Sequence, residues 1–393
     1  MNKNYCFFPI MFRLLIGAIP VFYSSCGVND GNWKAIKISA GDSRTCAITT
    51  ERRIKCWGEN YAGQLGDGTI DDKHVPVNVS GLSENAADVS TGGGTTCVLT
   101  EKGGVKCWGD NDGGMLGIGV DSGPQICCPN SDEKFPCSTS PQNVINLGGG
   151  VKAISSGDRH ICVVFNEGAL QCWGANGYGQ LGSKDNIWKD IPSAVWGLSQ
   201  DVSAVSCGFE HTCALLSSGQ VKCWGNNEDG ELGDGTNENS NVPKDVKGLS
   251  KPITQICTGS KQSCALDDSG AVWCWGNGKN FTYVVPGLGS DVIQVACGFY
   301  HQCVLTSNGG VKCWGDNSFT NLGIGSDEDY VSIPSLVRSL SSGVSAISLG
   351  FHHSCALKDN GSVFCWGAND NGETGTGTED YEIDLPTLVK GTE

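Results

Sequence analysis

Short strand-like segments separated by glycine-rich turns run along most of the chain. One stretch shows the pattern most completely: Val202 and Cys207 mark a first strand, and three more strands follow over residues 212–216, 220–224 and 242–246. No long amphipathic helical pattern accompanies these strands. The pattern predicts an all-β chain assembled from four-stranded units.

The tripeptide Cys-Trp-Gly recurs seven times, and each copy has another cysteine ten residues upstream. Successive copies are offset by 51, 65, 51, 51, 39 and 52 residues. A period of about 50 residues with one hairpin per unit favours a closed propeller over an open solenoid. The expected fold is therefore an all-β, seven-bladed β-propeller of four-stranded blades over residues 33–391.

The ten-residue spacing places two cysteines opposite each other in an antiparallel hairpin. If Leu216 pairs with Gln220 across a three-residue turn, Cys213 faces Cys223 at a Cα distance that a disulfide can bridge. Zinc binding is the alternative, but zinc sites need close pairs such as C-x₂-C, and these pairs lack that spacing. We therefore predict one hairpin disulfide per blade. The expected pairs are Cys46–Cys56, Cys97–Cys107, Cys162–Cys172, Cys213–Cys223, Cys264–Cys274, Cys303–Cys313 and Cys355–Cys365.

The first 25 residues have the pattern of an export signal. Lys3 and Arg13 are the only charged residues there, and a short apolar run over 14–23 ends in two serines before Cys26. Small residues followed by cysteine are similar to a bacterial lipoprotein signal, in which Cys26 carries the lipid. Cleavage without lipidation and an uncleaved anchor are the alternatives. Residues 1–25 are thus predicted to be a signal peptide that directs the protein to the cell surface, the periplasm or the medium.

Composition and charge bear on compartment and partner. The chain has 22 Cys, and seven disulfides require an oxidising compartment, in agreement with export. Removing the two cations of the signal from the chain's 26 Lys and Arg leaves 24, against 42 Asp and Glu, a net charge of −18. Such a surface repels a phosphate backbone, so a nucleic-acid partner is not expected.

The repeats resemble the regulator of chromosome condensation repeat family. Its pattern runs through G-x-x-H, an A-L strand, W-G, the turn N-x-x-G-Q-L-G-x-G-T and a proline before the last strand. Here the corresponding sequences are CGFEHTCALLSSGQVKCWGNNEDGELGDGT at 207–236, HICVVFNEGALQCWGANGYGQLG at 160–182 and WGENYAGQLGDGT at 57–69. The resemblance is to an exported, disulfide-rich, bacterial-type member, and it implies the seven-bladed fold that the repeat count indicates separately.

The family hosts different functions. Its founding members are nuclear guanine-nucleotide exchange factors for the Ran GTPase, and others resemble secreted binding proteins, including a bacterial propeller that inhibits β-lactamases. The predicted disulfides and export signal argue against a cytosolic GTPase partner. The favoured hypothesis is a non-catalytic, extracytoplasmic binding or scaffold protein that recognises a protein or glycan through its loops. A guanine-nucleotide exchange factor and a secreted inhibitor of an enzyme such as a β-lactamase are the alternatives.

Connections between strands supply the candidate binding residues. Trp188 and Trp196 are expected at exposed loop positions, where aromatic residues often anchor interfaces, although they could equally shield a neighbouring loop. The acidic connections should gather on one side of the disc and attract a basic partner, a solubilising surface being the alternative. These connections carry Asp71, Asp72, Asp185, Asp190, Asp234, Glu238, Asp327, Glu328, Asp329, Glu379, Asp380 and Asp384. The candidate binding residues are Trp188, Trp196, Asp327, Glu328, Asp329 and Asp380.

Catalytic and metal sites are not expected. His160, His211, His301 and His353 lie in separate blades, so each should cap its own turn instead of converging on an ion. The turn at 109–113 lacks the ligand spacing of a calcium loop. The sequence contains no nucleophile–base pattern and no phosphate loop. We therefore predict a monomer without enzymatic activity, metal or cofactor, which contacts a membrane only through a lipid anchor.

Apart from Cys6 and Cys26, six further cysteines lie outside the hairpin pairs. An insert of about 14 residues in blade two contains three of them and suits presentation to a partner, although repeat proteins also tolerate drift in insertions. Three others fall on first strands, where a small buried thiol fits. The sequence assigns no pairing to Cys127, Cys128, Cys137, Cys207, Cys257 and Cys297.

Overall fold

The computed structural model describes residues 32–127 and 134–393. Over these residues the chain forms seven antiparallel sheets, one per blade, so the predicted all-β propeller is confirmed. The predicted signal peptide, Cys26 and Cys128 lie outside the described residues. In the part of the chain that the structure covers, no helix has the length and apolar character needed to cross a membrane.

Each blade consists of strands that follow one another in the sequence. Blade one contains β1 Ala35–Ala40, β2 Arg44–Thr49, β3 Ile54–Gly58 and β4 Lys73–Asn78. Blade two contains β5 Ala86–Thr91, β6 Thr95–Thr100, β7 Val105–Asp110, a 3₁₀ turn Asp112–Gly114, β8 Gln125–Cys127 and β9 Phe135–Asn143. Blade three contains β10 Val151–Ser156, β11 His160–Phe165, β12 Leu170–Gly174 and β13 Lys189–Ala194.

The remaining four blades repeat this order. Blade four contains β14 Val202–Cys207, β15 His211–Leu216, β16 Val221–Gly225 and β17 Ser240–Asp245. Blade five contains β18 Ile253–Thr258, β19 Gln262–Asp267, β20 Val272–Gly276 and β21 Lys279–Val284. Blade six contains β22 Val292–Cys297, β23 His301–Thr306, β24 Val311–Asp316 and β25 Tyr330–Leu336. Blade seven contains β26 Val344–Leu349, β27 His353–Lys358, β28 Val363–Ala368 and β29 Glu382–Leu388.

The hairpin of strands two and three brings two cysteines together in every blade. In blade four, Cys213 and Cys223 are direct partners in the antiparallel register, with their Cα atoms 4.1 Å apart. The same distance recurs in the other six hairpins, where the cysteines also lie at disulfide distance. A narrow non-hydrogen-bonded pair of an antiparallel ladder has this separation.

The hydrophobic core lies between adjacent blades. One cluster joins Cys213, Val221 and Leu232 of blade four to Ile253 and Trp275 of blade five. Because each blade has a neighbour on both faces, the second strand is almost completely buried along its length, as in β6 and β19. The first strands of adjacent blades contact one another around the axis of the disc.

The tryptophans of the Cys-Trp-Gly motif also connect neighbouring blades. The indole N–H of Trp224 donates to the main-chain carbonyl of Gln180, in the turn of the preceding blade, at 2.8 Å. Five other motif tryptophans make the equivalent bond at 2.7–3.0 Å. Each such bond contributes about 1 kcal/mol net. The motif therefore fixes the angle between blades as well as filling the core.

Blade five is shorter, and the junction to blade six differs accordingly. Its chain passes from β20 to β21 through two residues, so the turn that supplies the carbonyl is missing. Trp314 of blade six is the one motif tryptophan without this hydrogen bond among the described residues. A disulfide between Cys257 and Cys297, with Cα atoms 5.5 Å apart, joins the first strands of these two blades. At this junction a covalent link between the first strands thus takes the place of the hydrogen bond that the missing turn would accept.

The ring closes without exchange of strands between the chain ends. Blades one and seven each contain four consecutive strands. The Trp33 amide donates to the Gly391 carbonyl at 2.8 Å, and the Ala35 amide donates to the Gly361 carbonyl at 2.9 Å. Closure therefore rests on the same kind of blade-to-blade contacts as the other junctions.

The insert in blade two becomes a fifth strand at the outer edge of its sheet. β8 pairs with β9 in the order β5-β6-β7-β9-β8. A disulfide between Cys127 and Cys137 ties the two strands together, with Cα atoms 5.9 Å apart. Of the described cysteines, Cys207 alone remains unpaired, and it is buried.

Candidate binding site at the axial mouth

Two sets of connections emerge on the same face of the disc. The connections between strands one and two surround the axis, and those between strands three and four lie farther out, because both begin at the same end of each blade. We call this side the mouth face. The hairpin turns and the blade-to-blade connections form the opposite side, the hairpin face.

The channel opens on the mouth face into a cavity of about 300 Å³. All seven blades line it with the ends of their first strands. This volume is at the lower end of the range of small-ligand pockets in proteins. We call the opening the axial mouth and take it as the candidate functional site.

A ring of seven glycines forms the rim of the cavity. A Cβ atom on Gly157 would lie 2.3 Å from the carbonyl oxygen of Gly208 and 2.7 Å from Cε1 of His160. The equivalent atoms would come within 2.8 Å of the next glycine carbonyl at the other positions too. The G-x-x-H element therefore needs glycine because neighbouring blades and the histidine ring approach so closely. The ring consists of Gly41, Gly92, Gly157, Gly208, Gly259, Gly298 and Gly350.

The residue that follows each ring glycine differs between blades, and it decides the chemistry of the mouth. In blade order these residues are Asp42, Gly93, Asp158, Phe209, Ser260, Phe299 and Phe351. Acidic residues thus occupy blades one and three, and phenylalanines occupy blades four, six and seven. The sevenfold repeat becomes asymmetric at this position.

The phenylalanines contact each other across the mouth. Phe299 stacks on Phe351 with ring centroids 3.5 Å apart, and Phe209 meets Phe299 edge-on at 5.2 Å. Blade five lies between blades four and six and carries Ser260 at this position. Its small side chain leaves room for Phe209 and Phe299 to contact each other. Tyr300 and His352 extend the aromatic surface outward, at 4.4 Å from Phe299 and 4.5 Å from Phe351.

The acidic residues adjoin this aromatic surface at both ends. The Phe351 amide donates to the carbonyl oxygens of Gly41 and Asp42, both at 3.1 Å. On the other side, the Asp158 amide donates to the carbonyl of Gly208, the residue before Phe209, at 3.3 Å. The two aspartates therefore lie in loops that are bonded directly to the phenylalanine loops.

The mouth holds no activated nucleophile among the described residues. Cys207 lines the cavity, but burial raises the pKa of its thiol to about 12, so the thiol is protonated and unreactive at neutral pH. His160 and Cys162 lie near Cys207. They do not complete a metal site with it, because the Cys162 sulfur is bonded to Cys172.

The four patterned histidines connect blades, so the prediction that each caps its own turn is wrong. His211 Nε2 lies 2.9 Å from Oγ of Ser263 in the next blade, and that hydroxyl donates to the Glu231 carbonyl. His160, His301 and His353 repeat the arrangement. Since the hydroxyl hydrogen is already used, the histidine must donate from Nε2. Burial lowers the pKa of all four to about 3, which keeps them neutral.

Buried asparagines hold the acidic connections in place. Asn317 Nδ2 donates to the carbonyls of Ser326 at 3.0 Å and Glu328 at 2.9 Å, and Asn369 Nδ2 donates to the carbonyl of Asp380 at 2.8 Å. The main chain is therefore fixed while the carboxylates face solvent. The four acidic candidates are all exposed, and they are Asp327, Glu328, Asp329 and Asp380.

The two candidate tryptophans do not form one site. Trp188 precedes β13 and Trp196 follows it, so they lie at opposite ends of a strand about 20 Å long. Trp188 is 42% exposed and its ring faces the guanidinium of Arg159 at 5.1 Å. Trp196 is 52% exposed, with the Lys184 ammonium 4.1 Å from its ring centre. Trp188 adjoins the mouth through Arg159, the residue after Asp158 of the cavity lining, whereas Trp196 contacts Lys184.

The phenylalanines of the mouth and the disulfide between blades five and six were not predicted from the sequence. Phe209, Phe299 and Phe351 are far apart in sequence, but each follows the glycine of a G-x-x-H element. Comparison of that single position across the seven repeats would have identified them. The pairing of Cys257 with Cys297 required knowledge of which strand positions face each other across a junction.

Comparisons with known proteins agree with this architecture. The chain matches the RCC1-like domain over residues 19–291. It also matches the regulator of chromosome condensation (RCC1) repeat over residues 292–320 and 344–373, and over 308–357 and 360–393.

The curated relatives are either much longer than this chain or align with only part of it. The human E3 ubiquitin-protein ligase HERC2 is 32% identical over 369 residues, which are 91% of this chain and 6% of HERC2. The Arabidopsis thaliana ultraviolet-B receptor UVR8 is 29% identical, covering 92% of this chain and 71% of UVR8. The Arabidopsis RUG3 protein is 32% identical over 63% of this chain and 55% of its own length. The chain thus spans a small part of HERC2 and about half of RUG3.

Solved structures share the fold at low sequence identity. Human WBSCR16 superposes with a TM-score of 0.75 at 23% identity, covering 86% of this chain and 94% of its own. Yeast RCC1 (Prp20) superposes with a TM-score of 0.74 at 19% identity, covering 92% and 86%. With its family match, its repeats and its seven blades, the chain belongs to the RCC1-like domain family.

Proposed function

We propose that this protein is a non-catalytic, exported binding protein that recognises a protein partner through its mouth face. The asymmetric axial mouth supports the proposal most strongly. An otherwise repetitive scaffold carries carboxylates in two blades and mutually contacting phenyl rings in three others at one structural position. Variation confined to the exposed end of a rigid scaffold is typical of a recognition surface.

The chemistry of the mouth favours binding over catalysis. Among the described residues that line it, the thiol of Cys207 is protonated and the neighbouring histidine is buried and neutral. Carboxylates and phenyl rings remain, and these bind cations and apolar groups. A partner with basic residues fits the acidic connections better than a glycan does.

The cysteine pairs support an oxidising, extracytoplasmic location. Nine pairs lie at disulfide distance over the described residues. Such a set does not persist in a reducing cytosol. We expect alkylation of the native protein before reduction to leave these cysteines unlabelled, and Cys207 to react only after unfolding. Labelling of the hairpin cysteines in the native protein would contradict the oxidising location.

Guanine-nucleotide exchange is the second candidate function. It is favoured by the likeness to yeast RCC1 (Prp20p), whose structure was reported with its binding properties to Gsp1p and histones. At 19% identity that likeness extends to the fold alone. The cysteine pairs argue against a cytosolic GTPase partner of this chain.

A partner-capture experiment with matched charge variants tests the proposed function. The purified protein is immobilised and exposed to the extracellular fraction of its source cells, beside Glu328→Gln/Asp380→Asn on the mouth face and Asp268→Asn/Asp359→Asn on the hairpin face. We expect saturable capture that the mouth-face variant reduces and the hairpin-face variant retains. Equal capture by all three, or accelerated nucleotide release from a small GTPase, would overturn the proposal.

A further inference from the structure

We infer that the junction of blades five and six binds a turn of the partner protein, at the place where blade five lacks its own turn. The inference rests on the proposed function, because the missing turn belongs to the mouth face, and it names the chemistry of one contact. It follows from three buried N–H donors without an acceptor and from the groups that meet their equivalents at other junctions. We call this place the vacant turn position.

The junction of blades four and five shows what normally occupies the position. The main-chain carbonyl of Glu231, in the turn of blade four, accepts the indole N–H of Trp275 at 2.7 Å and the hydroxyl of Ser263 at 3.1 Å. His211 Nε2 donates to the same hydroxyl at 2.9 Å. One carbonyl oxygen thus completes the hydrogen bonds of a tryptophan, a serine and a histidine from two blades.

Three donors lack this acceptor at the junction of blades five and six. Blade five passes from its third to its fourth strand through residues 277–278, where blade one uses 59–72. The equivalents of the histidine, the serine and the tryptophan are Gln262, Gln302 and Trp314. Nε2 of both glutamines is buried without a hydrogen-bond partner. Among the described residues, the Trp314 indole also lacks the bond that the other motif tryptophans make.

These donors make the vacant turn position receptive to an oxygen atom. Gln262, Gln302 and Trp314 are 4%, 3% and 5% exposed, and a buried donor without an acceptor costs free energy that an incoming acceptor recovers. The other six motif tryptophans are 0–1% exposed, so Trp314 is the most open to solvent. Gln302 and Trp314 face each other in the antiparallel register, which brings two of the donors together.

The resident turns also contribute a glycine and an apolar side chain. A Cβ on Gly233 would lie 2.8 Å from the Trp275 ring, and Leu232 beside it joins the core between blades four and five. The hydrophobic cluster around Trp314 includes no residue of such a turn. The equivalent junctions therefore define the occupant as a tight turn that presents a carbonyl, a leucine and a glycine.

The same turns bind the outer strand of the following blade. The Gly235 amide of blade four donates to the Asn280 carbonyl of blade five at 3.0 Å, and four other junctions make the equivalent bond. The register places Ser332 at this position in blade six. Ser332 is exposed, and no amide from the described part of blade five reaches its carbonyl. A turn bound at the junction would find an acceptor there for its own N–H.

Exposed apolar side chains surround the vacant turn position. Tyr330 and Ile333 of blade six are each 63% exposed, and Phe281 of blade five is 59% exposed. Burial, and then the neighbouring phenol of Tyr330, raise the pKa of Tyr283, so the two rings lie close together across the junction. Exposed apolar groups that lie together on a protein surface are typical of an interface with another protein.

A main-chain carbonyl suits the position better than an anion. The chain has a net charge of −16, and the acidic connections lie on the same face, so an anion is repelled. A neutral carbonyl from a protein turn is not repelled, and the leucine beside it can contact the exposed apolar residues.

The test uses a labelled peptide that copies residues 59–71, the chain's own turn from blade one. Its binding to the full chain is measured by fluorescence anisotropy. We expect saturable binding that Trp314→Phe weakens about fivefold, because the ring remains while the indole donor is lost. We expect Leu65→Asp within the peptide to weaken binding about tenfold or more, because the leucine would no longer be buried.

Two further variants serve as controls. Trp224→Phe removes the same donor at the junction of blades three and four, where the Gln180 carbonyl is in place, and should leave peptide binding unchanged. Replacement of residues 277–278 by the sequence of 59–72 restores the turn and should abolish binding. Gln302→Leu serves in place of Trp314→Phe if that variant folds poorly.

No saturable binding of the peptide, as expected if water alone satisfies the three donors, overturns the inference. Equal binding by the wild type and by the chain with the restored turn overturns it as well. Partner capture that Glu328→Gln/Asp380→Asn reduces but the restored turn does not also overturns it, and leaves the proposed function standing.

Discussion

One residue position in the turns of this propeller has a structural role in every blade that carries the turn, and in blade four its side chain is also ionisable. The position whose carbonyl accepts the tryptophan indole is Gln64 in blade one and Glu231 in blade four. The side-chain oxygen has the same role in both, because it accepts an amide two residues earlier, from Ala62 or from Asp229. Glu231 is 2% exposed, and burial raises its pKa from 4.5 to about 7.

Replacing this glutamate should therefore stabilise the protein at alkaline pH. The unfolded chain releases the Glu231 proton near pH 4.5 and the folded chain near pH 7, so stability falls as pH rises through that window. We expect Glu231→Gln to increase the free energy of unfolding by about 1–2 kcal/mol at about pH 8 and to change it little at about pH 4. Urea unfolding at both pH values measures the difference.

The matched control is the reverse change in blade one. Gln64→Glu should introduce the same pH dependence, with the loss of stability at alkaline pH. A gain from Glu231→Gln that is equal at both pH values would mean that ionisation is not its cause.

The ring glycines should not tolerate a larger residue. A methyl group on Gly157 would meet both the next blade and its own histidine, so we expect Gly157→Ala to lower the free energy of unfolding by about 3 kcal/mol or more. Gly177→Ala is the control, because a Cβ there has nothing within 4 Å. A similar, small effect of both substitutions on the thermal midpoint would show that the ring can relax.

At the level of the element, a disulfide joins strands two and three within every blade, whereas among the described residues one junction between blades, that of blades five and six, carries a disulfide. Each hairpin disulfide links residues ten positions apart, and the bond between Cys257 and Cys297 spans 40. Other first strands make a hydrogen bond at this position, such as that from the Thr258 amide to the Ser206 hydroxyl at 3.1 Å. The disulfide occurs where the turn of blade five is missing.

Loss of the inter-blade disulfide should cost more than loss of a hairpin disulfide. The chain-entropy relation gives about 4 kcal/mol for a loop of the longer separation and about 3 kcal/mol for the shorter one. We expect Cys257→Ala/Cys297→Ala to lower the thermal midpoint more than Cys213→Ala/Cys223→Ala does. The opposite order would mean that the junction of blades five and six is held by its packing alone.

The element scale also shows what the sequence could predict. The hairpins, their cysteine pairs and the blade count follow from spacing, because strands two and three are adjacent in both sequence and space. The partners of His211 and Cys257 lie in the next blade, about one repeat away, and their register depends on how blades stack. Local patterns carry no information on that stacking, so the histidines were assigned to the wrong partner and these cysteines to none.

At the scale of the whole molecule, the binding surface exists only after the ring closes. Phe209 and Phe351 belong to blades four and seven, yet both contact Phe299 over the axis. The acidic connections of the mouth face likewise come from separate repeats. The spacing of the repeats predicted the propeller and its acidic connections. The central aromatic surface could not be predicted in this way, because it depends on where each loop lies around the axis.

The disulfide pairs of the described residues predict which peptides stay linked when the unreduced protein is digested. Among the described cysteines, the Cys257–Cys297 bond alone crosses between blades. A tryptic digest of the unreduced protein should therefore contain residues 248–261 linked to 280–312, which the hairpin bond to Cys313 joins in turn to 313–338. Mass spectrometry before and after reduction detects this species, and its absence would contradict the inter-blade pairing.

Because the two chain ends exchange no strand, the circular order of the blades does not depend on which blade comes first in the sequence. Since the amide of Trp33 already meets the carbonyl of Gly391 at 2.8 Å, a short linker could join residues 33 and 391, and new ends could be placed at Ser250 between blades four and five. Every sheet and every disulfide of the described chain would remain intact in such a circular permutant. The fold is thus compatible with rotation of the gene by whole blades, without any strand having to be shared between its first and last units.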